Sequence, residues 1–185
     1  MKKILCFVFV TLILVGCDSD DNEGTLSVTT GYTIELLREA NIIYQFEGRE
    51  PKYLGKFRSS RTGIDKYVFE VSTGDDANSL MVVNFYLQDD QNLFDASNDY
   101  PLAFIDNITL NEIPRFGPVA ELYFENTDGF PNGPGPNSVA SSGELKITIN
   151  APISEFVIAL DGSIDDTTPL DHTLSGSIFF LESPE

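Results

Sequence analysis

The chain has 185 residues, with 11 basic and 29 acidic side chains and a net charge of −18 at neutral pH. This charge argues against a nucleic-acid partner, because phosphate contacts need a basic surface. The two cysteines of the sequence are Cys6 and Cys17. The chain beyond residue 17 therefore has no thiol for a disulfide, a nucleophile or a metal site.

The first predicted element is an export signal over residues 1–16. Two lysines precede an apolar stretch from residue 4 to residue 15, which ends in Leu14-Val15-Gly16-Cys17. This segment resembles the lipobox of bacterial lipoproteins, which implies cleavage before Cys17 and acylation of that residue by chains such as palmitate. The stretch is shorter than the roughly 20 residues that a spanning helix needs. A retained membrane anchor and an ordinary cleaved secretory signal are the alternatives.

An acidic tether is predicted over residues 17–30, with four acids between Asp18 and Glu23. Removal of the signal leaves 9 basic residues against 29 acidic ones, a net charge of −20. The acidic run resembles a surface-export signal of glycan-degrading Gram-negative bacteria, which implies an outer-membrane anchor with the body at the cell surface. An inner-membrane retention signal, a periplasmic location and a plain solvated tether are the alternatives.

Residues 31–185 form one predicted domain. A short helix is predicted over Tyr32–Ala40, where the apolar residues fit a strand equally well. Beyond it, apolar and polar residues alternate in short runs separated by Gly, Asp, Asn and Pro, which indicates half-buried strands. The clearest run is Glu144–Asn150. Further strands are predicted at residues 42–46, 67–71, 81–87, 102–110, 120–125, 156–160 and 174–180.

This pattern predicts an all-β domain, an antiparallel sandwich of about eight to ten strands, with a lipocalin-like barrel as the alternative. The alternation also assigns faces. In the run at 120–125 it places Ala120, Leu122 and Phe124 in the core and leaves Glu121 and its neighbours at positions 123 and 125 in solvent.

Two C-terminal segments resemble the paired strands of small uncharacterised all-β lipoproteins. They are Ser142-Gly143-Glu144-Leu145-Lys146-Ile147-Thr148 and Leu174-Ser175-Gly176-Ser177-Ile178-Phe179-Phe180. The resemblance covers about a quarter of the chain and is consistent with the β fold. It implies no catalytic residue.

A basic island is the first candidate binding site, because seven of the nine basic residues that follow the signal lie between residues 38 and 66. They are Arg38, Arg49, Lys52, Lys56, Arg58, Arg61 and Lys66. With Tyr53 they predict a patch for an anionic glycan or an envelope protein. The alternative is an exposed hairpin whose cations pair with acids of neighbouring strands.

The segment 126–142 is the second candidate, since its glycines and prolines exclude regular structure. Phe130 is an apolar side chain within it that either packs on the body or contacts a ligand. A decorative loop is the alternative.

Oxygen-rich loops at residues 74–78, 88–92, 95–99 and 161–166 raise the question of calcium. None of them has the spacing of an EF-hand, and Asp and Asn favour turns without a metal. The sequence therefore predicts no required cofactor and leaves a calcium ion as a candidate.

Signals for an enzyme are weak. His172 is the single histidine, and we predict it to be a surface residue of a loop. There is no Gly-x-Ser-x-Gly elbow and no phosphate-binding loop. A hydrolase would need two carboxylates about 5–9.5 Å apart, which only cross-strand pairs can supply here.

The sequence thus predicts a lipid-anchored envelope protein that binds a ligand or partner without catalysis, as an accessory to outer-membrane glycan uptake. The alternatives are a purely structural envelope module and a hydrolase that uses cross-strand carboxylates. Ligand binding predicts that several tyrosines share one platform, whereas the structural alternative predicts that they are scattered or buried. These tyrosines are Tyr44, Tyr53, Tyr67, Tyr100 and Tyr123.

Overall fold

A computed structural model of the chain describes residues 30–48, 50–60, 62–72, 80–103, 105, 117–125, 139–150, 155–164 and 172–181. These residues form ten β-strands in two antiparallel sheets, and no helix occurs among them. The sheets are not closed into a barrel. The prediction of an all-β sandwich is therefore confirmed, and the alternative of a lipocalin-like barrel is wrong.

The strands fall into a sheet of six and a sheet of four. In chain order they are β1 (Gly31–Arg38), β2 (Asn41–Gly48), β3 (Lys52–Arg58), β4 (Asp65–Ser72), β5 (Leu80–Leu87), β6 (Asn98–Pro101), β7 (Val119–Glu125), β8 (Ala140–Asn150), β9 (Glu155–Ile164) and β10 (His172–Phe180). The six-stranded sheet has the order β2-β1-β10-β9-β8-β6, and the four-stranded sheet has the order β3-β4-β5-β7.

The helix predicted over Tyr32–Ala40 is wrong, because this segment is strand β1 and the turn that follows it. β1 pairs with β2 on one side and with β10 on the other. Glu39 and Ala40 have φ angles of 51° and 62°, as a two-residue hairpin turn with φ > 0 at both positions requires. Pairing with two neighbouring strands decides the structure here, since the local apolar pattern fits either period.

The core lies between the two sheets and is rich in aromatic rings. Phe69 of β4 is at its centre, with ring centroids 5.9 Å from Phe85, 5.9 Å from Phe156 and 5.8 Å from Phe180. Two of these three rings come from the six-stranded sheet, so Phe69 joins the sheets. Burial of this apolar area is the main favourable term for a domain in which the described strands contain no disulfide.

The Ser-Gly pairs noted in the sequence have a structural reason. Gly143 and Gly176 have φ angles of 122° and 146°, values that other residues rarely adopt. A Cβ atom at Gly143 would lie 2.2 Å from the carbonyl oxygen of Asp161, and one at Gly176 would lie 2.2 Å from that of Thr33. At both positions the neighbouring strand can approach only a glycine.

A tyrosine links the two sheets at one end of the sandwich. Tyr32 of β1 donates a hydrogen bond from its hydroxyl to the carbonyl oxygen of Ser72 in β4, at 2.8 Å. Burial raises the pKa of Tyr32, so the hydroxyl keeps the proton that it donates. A Cβ at Gly48 would lie 2.2 Å from this hydroxyl, and the glycine therefore leaves room for the ring.

The two faces of the four-stranded sheet are both covered near β5. Met81, Val83 and Phe85 point to the core, but Val82 and Tyr86 on the opposite face are buried as well. Of the strand predicted at 102–110, the structure describes residues 102, 103 and 105, and Leu102 forms an isolated bridge with Ala120 of β7. Residues 104 and 106–110 lie outside the described ranges.

Candidate functional site

An open cleft of about 430 Å³ lies where β3 and β4 meet the β5–β6 connection (residues 88–97). Its volume falls within the range of about 300–1,000 Å³ that is usual for ligand sites. Its lining combines aromatic rings with amides and carboxylates. The lining side chains include those of Tyr53, Lys56, Tyr67, Asp89, Asp90, Gln91, Asn92 and Phe94.

Three rings form the apolar side of the cleft. Phe94 meets Tyr53 edge-on at 5.4 Å and Tyr67 edge-on at 5.7 Å between ring centroids. Phe94 also lies 5.0 Å from Phe156 of the core. Tyr67 is buried, while Tyr53 and Phe94 are half-buried. The core therefore holds these rings in place and leaves part of two of them facing the cleft.

Asn92 fixes the polar side of the cleft. Its Oδ1 atom accepts hydrogen bonds from the Tyr67 hydroxyl at 3.1 Å and from the Phe94 backbone N–H at 3.4 Å. Its Nδ2 group donates to Asp95 Oδ1 at 3.1 Å. The bond from Phe94 is the local Asx bonding that shapes turns, whereas the bond from Tyr67 comes from a distant strand. It ties the connection to β4 and leaves the exposed side chains of Asp90 and Gln91 at the cleft.

The cation of the cleft is already paired. The Lys56 ammonium lies 2.8 Å from Asp65 Oδ2 and 5.3 Å from the centroid of the Tyr67 ring. The contact with Asp65 raises the pKa of Lys56. The Asp65 side chain is fully buried, whereas that of Lys56 is 43% exposed. Apart from this ion pair, neither carboxylate oxygen of Asp65 accepts a hydrogen bond from the described residues.

A second ion pair lies at the rim. Arg58 of β3 contacts Asp89 of the β5–β6 connection through Nη1 and Oδ1, and both side chains are more than half exposed. The hydrogen bond from Arg58 lowers the pKa of Asp89. This pair links β3 to the β5–β6 connection.

The structure brings two of the predicted binding residues to the cleft, because Tyr53 lines it and Arg58 lies at its rim. Lys52 lines a separate depression of about 420 Å³ with Tyr32 and Glu70, and Arg38 belongs to β1 in the other sheet. The described part of the basic island is thus divided between several surfaces. The remaining predicted residues, Cys17, Arg49, Arg61 and Phe130, lie outside the described ranges.

The predicted tyrosine platform is only partly present. Tyr53 and Tyr67 line the cleft, whereas Tyr100 packs in the core 5.0 Å from Phe85. Tyr44 stacks on Phe46 at the edge of the six-stranded sheet. Two of the five tyrosines therefore share a site with polar groups, and the others are scattered.

Metal ligands do not cluster in the described part of the chain, where no group of three or more His, Cys, Asp or Glu side chains could hold an ion. The candidate calcium loop at residues 74–78 lies outside that part, as do residues 165–166 of another. In the loop at 88–92, the oxygen of Asn92 and the carboxylate of Asp89 are engaged in turn bonds and in the ion pair with Arg58.

His172 was predicted to be a surface residue, and this is wrong. It is 2% exposed and opens β10, which lies between β1 and β9. Alternate residues of a strand share a face, and His172 lies on the same face of β10 as the buried Leu174, whereas Thr173 on the other face is exposed.

The register supplies one adjacent cross-strand pair of acids for the hydrolase alternative, Glu144 of β8 opposite Asp161 of β9. Both side chains are exposed. The pair therefore lies on the solvent-exposed face of the six-stranded sheet.

A buried polar network on the far face of the four-stranded sheet was missed. Glu121, predicted to be in solvent, is 8% exposed. Its Oε2 atom accepts hydrogen bonds from Asn84 Nδ2 at 3.0 Å and from the Tyr86 hydroxyl at 2.9 Å, and its Oε1 atom accepts one from Ile105 N at 3.4 Å. Burial, and next the charge of Glu121, raise the pKa of Tyr86 far above its usual value. The sequence signal for this network is a pair of polar side chains, Asn84 and Tyr86, two residues apart within the otherwise apolar strand β5.

Comparison with known proteins gives no relative: no protein family, no curated protein and no solved structure matches this chain. Within the ranges that the structure describes, no helix is long and apolar enough to cross a membrane. The lipobox and the acidic tether fall in residues 1–29, outside those ranges. Export, lipidation and surface location stay predictions.

Proposed function

We propose that this protein is a lipid-anchored, non-catalytic binding module of the bacterial cell envelope that takes its ligand in the cleft between β3 and the β5–β6 connection. The observation that carries the proposal is the pairing of half-buried rings with polar side chains around one open volume. Tyr53 and Phe94 supply the rings, and Asp90, Gln91 and Asn92 supply the polar groups.

The rings favour a binding role because an aromatic face left in contact with water forgoes burial energy. Fully burying a Phe side chain contributes about 1.5–3 kcal/mol relative to leaving it exposed. Phe94 is held at the surface by contacts with Tyr53, Tyr67 and Phe156. A ligand that covers its remaining face recovers part of this energy without any rearrangement of the site.

Lys56 supports the same role and argues against catalysis by this side chain. Its ammonium is fixed by Asp65 and its raised pKa keeps it protonated. It can therefore donate hydrogen bonds to a ligand but does not act as a general base at neutral pH.

The anchor is supported by the residues at the start of the chain. Several acyl chains on Cys17 would give stable attachment, since each buried methylene contributes about 0.8 kcal/mol and a single chain binds only reversibly. The acidic residues that follow Cys17 would extend by self-repulsion and hold the sandwich away from the bilayer.

Two measurements test the anchor. Cells expressing the full chain are labelled with radioactive palmitate, and we expect label in the wild type and none in Cys17→Ala. Protease treatment of intact cells then tests location, and we expect digestion of the wild-type sandwich. An unlabelled wild type overturns lipidation, and complete protection from protease overturns the surface location.

Binding is tested by titrating purified protein with soluble polysaccharides of neutral and anionic types. The chain has no tryptophan and seven tyrosines, so the fluorescence of tyrosines, including Tyr53, is observed without a tryptophan signal. We expect Phe94→Ala to weaken binding and Tyr44→Ala, a half-buried tyrosine of the other sheet, to leave it unchanged. Gln91→Ala provides a variant of an exposed cleft residue whose folding is not at risk. Absence of binding to every polysaccharide, or equal binding by the cleft variants, overturns the proposal.

A further inference from the structure

The charges around the cleft limit which ligand it can take. Lys56 and Arg58 would be the natural partners of an anionic ligand, but each already has a carboxylate partner, Asp65 and Asp89. Asp65 is fully buried, so it cannot turn to a new partner when a ligand arrives. Withdrawal of Lys56 would leave a buried carboxylate uncompensated, which is strongly unfavourable.

The acidic residues add to this limit. Asp89 and Asp90 both line the cleft, and Arg58 compensates only Asp89. The whole chain carries a net charge of −18. A carboxylated or sulfated polymer would therefore approach a repulsive surface, and like charges at close range cost affinity and slow association.

The remaining groups match hydroxyls. A hydroxyl both donates and accepts hydrogen bonds, and the cleft offers acceptors at Asp90, a donor at Lys56 and the amide of Gln91, whose Oε1 atom also accepts a hydrogen bond from Gln88 N at 3.2 Å. Tyr53 and Phe94 of the same lining present apolar ring surface. A molecule with hydroxyls around its edge and C–H groups on its face satisfies both sides at once, as a pyranose ring does.

The shape favours a chain over a single small molecule. The cleft is open to solvent and is lined by residues of β3, β4 and the β5–β6 connection, so a bound polymer can extend beyond it into water. We infer that the cleft binds an uncharged, polyhydroxylated chain, a neutral glycan. This inference rests on the proposed function and narrows it, since the sequence had predicted an anionic glycan.

The experiment uses the full-length protein and two groups of probes. The neutral group contains mixed-linkage β-glucan, galactomannan and pullulan, and the anionic group contains polygalacturonate and chondroitin sulfate. Binding is measured by affinity electrophoresis and by calorimetry at low and high salt. We expect a neutral probe to bind with little dependence on salt, because no ion pair is formed. Phe94→Ala should lower its affinity by about tenfold, as expected for loss of one ring contact.

Two variants keep the outcome interpretable. Asp90→Ala changes an exposed cleft carboxylate, and we expect it to weaken binding of the neutral probe. Asp99→Ala changes an exposed carboxylate of β6 that pairs with Lys146, and we expect no effect. Binding confined to anionic probes, sensitive to Phe94→Ala and to salt, overturns the neutral ligand and leaves the binding function standing. Absence of binding to all five probes overturns the inference, and with it the proposed function.

Discussion

The six-stranded and four-stranded sheets differ in how many faces they bury. In β9 of the larger sheet, buried and less buried residues alternate along the whole strand. In β5 of the smaller sheet, seven of the eight residues are buried. The larger sheet therefore behaves as a half-buried antiparallel sheet, and the smaller one is covered on both sides near β5.

This difference explains where polar side chains depend on hydrogen-bond or ion-pair partners within the protein. On the larger sheet, Glu144 and Asp161 are exposed to water and need no partner within the protein. On the smaller sheet, Glu121 and Asp65 are buried and depend on named partners. The cleft lies at the edge of the smaller sheet, where a buried carboxylate holds its cation, Lys56, so this cation can donate hydrogen bonds but is not available as the ion-pair partner of an anionic ligand.

The largest expected effect comes from Phe69, which joins the sheets. Phe69→Ala should lower the free energy of unfolding by about 3–5 kcal/mol, because it removes ring contacts with both sheets and leaves a cavity. Urea denaturation measures it. Phe57→Ala, at a side chain that is 51% exposed, is the control and should change stability by less than about 0.5 kcal/mol. Equal losses would contradict the position of the core.

The second prediction compares the same residue type in the two sheets. Glu121→Ala should cost about 1–3 kcal/mol, because the buried Asn84 amide and Tyr86 hydroxyl lose their acceptor. Glu144→Ala, on the exposed face of the larger sheet, should change stability by less than about 0.5 kcal/mol. Urea denaturation of both variants checks this. A stable Glu121→Ala protein would show that the far face of the smaller sheet is hydrated.

The third prediction compares two cations of β3. Lys56→Ala should destabilise the fold on the order of 2 kcal/mol, because it leaves the buried Asp65 carboxylate without its cation. The exposure of the Lys56 side chain reduces the effect. Arg58→Ala should cost less, since both partners of its ion pair are exposed. Thermal unfolding ranks the variants. The double variant Lys56→Ala, Asp65→Asn should recover stability, and its failure to do so would contradict the role of the buried charge.

The smallest effect at neutral pH concerns Tyr86. Its pKa is raised in the folded protein, so above about pH 10 the unfolded chain releases a proton that the folded chain keeps, and stability falls as pH rises. Tyr86→Phe lacks this ionisation and should show a shallower fall. Denaturant unfolding between about pH 9 and pH 11 measures the slopes. Parallel curves for the two proteins would contradict the burial of this hydroxyl.

Alternation in the sequence predicted strands in both sheets, because the core face of each strand carries every second residue. Leu145 and Ile147 of β8 are fully buried as predicted. β1 was mistaken for a helix, since Ile34, Leu36 and Leu37 satisfy both periods. β3 was not predicted, because its cations and Gly55 interrupt the alternation at a bulged edge strand.

Only part of the candidate site could be recognised from the sequence. Tyr53 and Arg58 stood out by residue type, within a conspicuous basic island. Asn92 and Phe94 lie more than 30 residues further along the chain, and no local pattern connects them with β3. Neither could the sequence show that Lys56 is paired with Asp65, because that contact depends on the β3–β4 register and its bulge.

The sequence by itself determined the all-β class, the acidic character and the absence of thiol chemistry beyond residue 17. These follow from the period of the side chains and from composition, which need no knowledge of neighbours in space. The tertiary structure alone decided which of the two sheets is covered on both faces, which carboxylates are buried and which rings contact the β5–β6 connection. Those properties depend on strand order and on contacts between distant segments, and a one-dimensional pattern does not contain them.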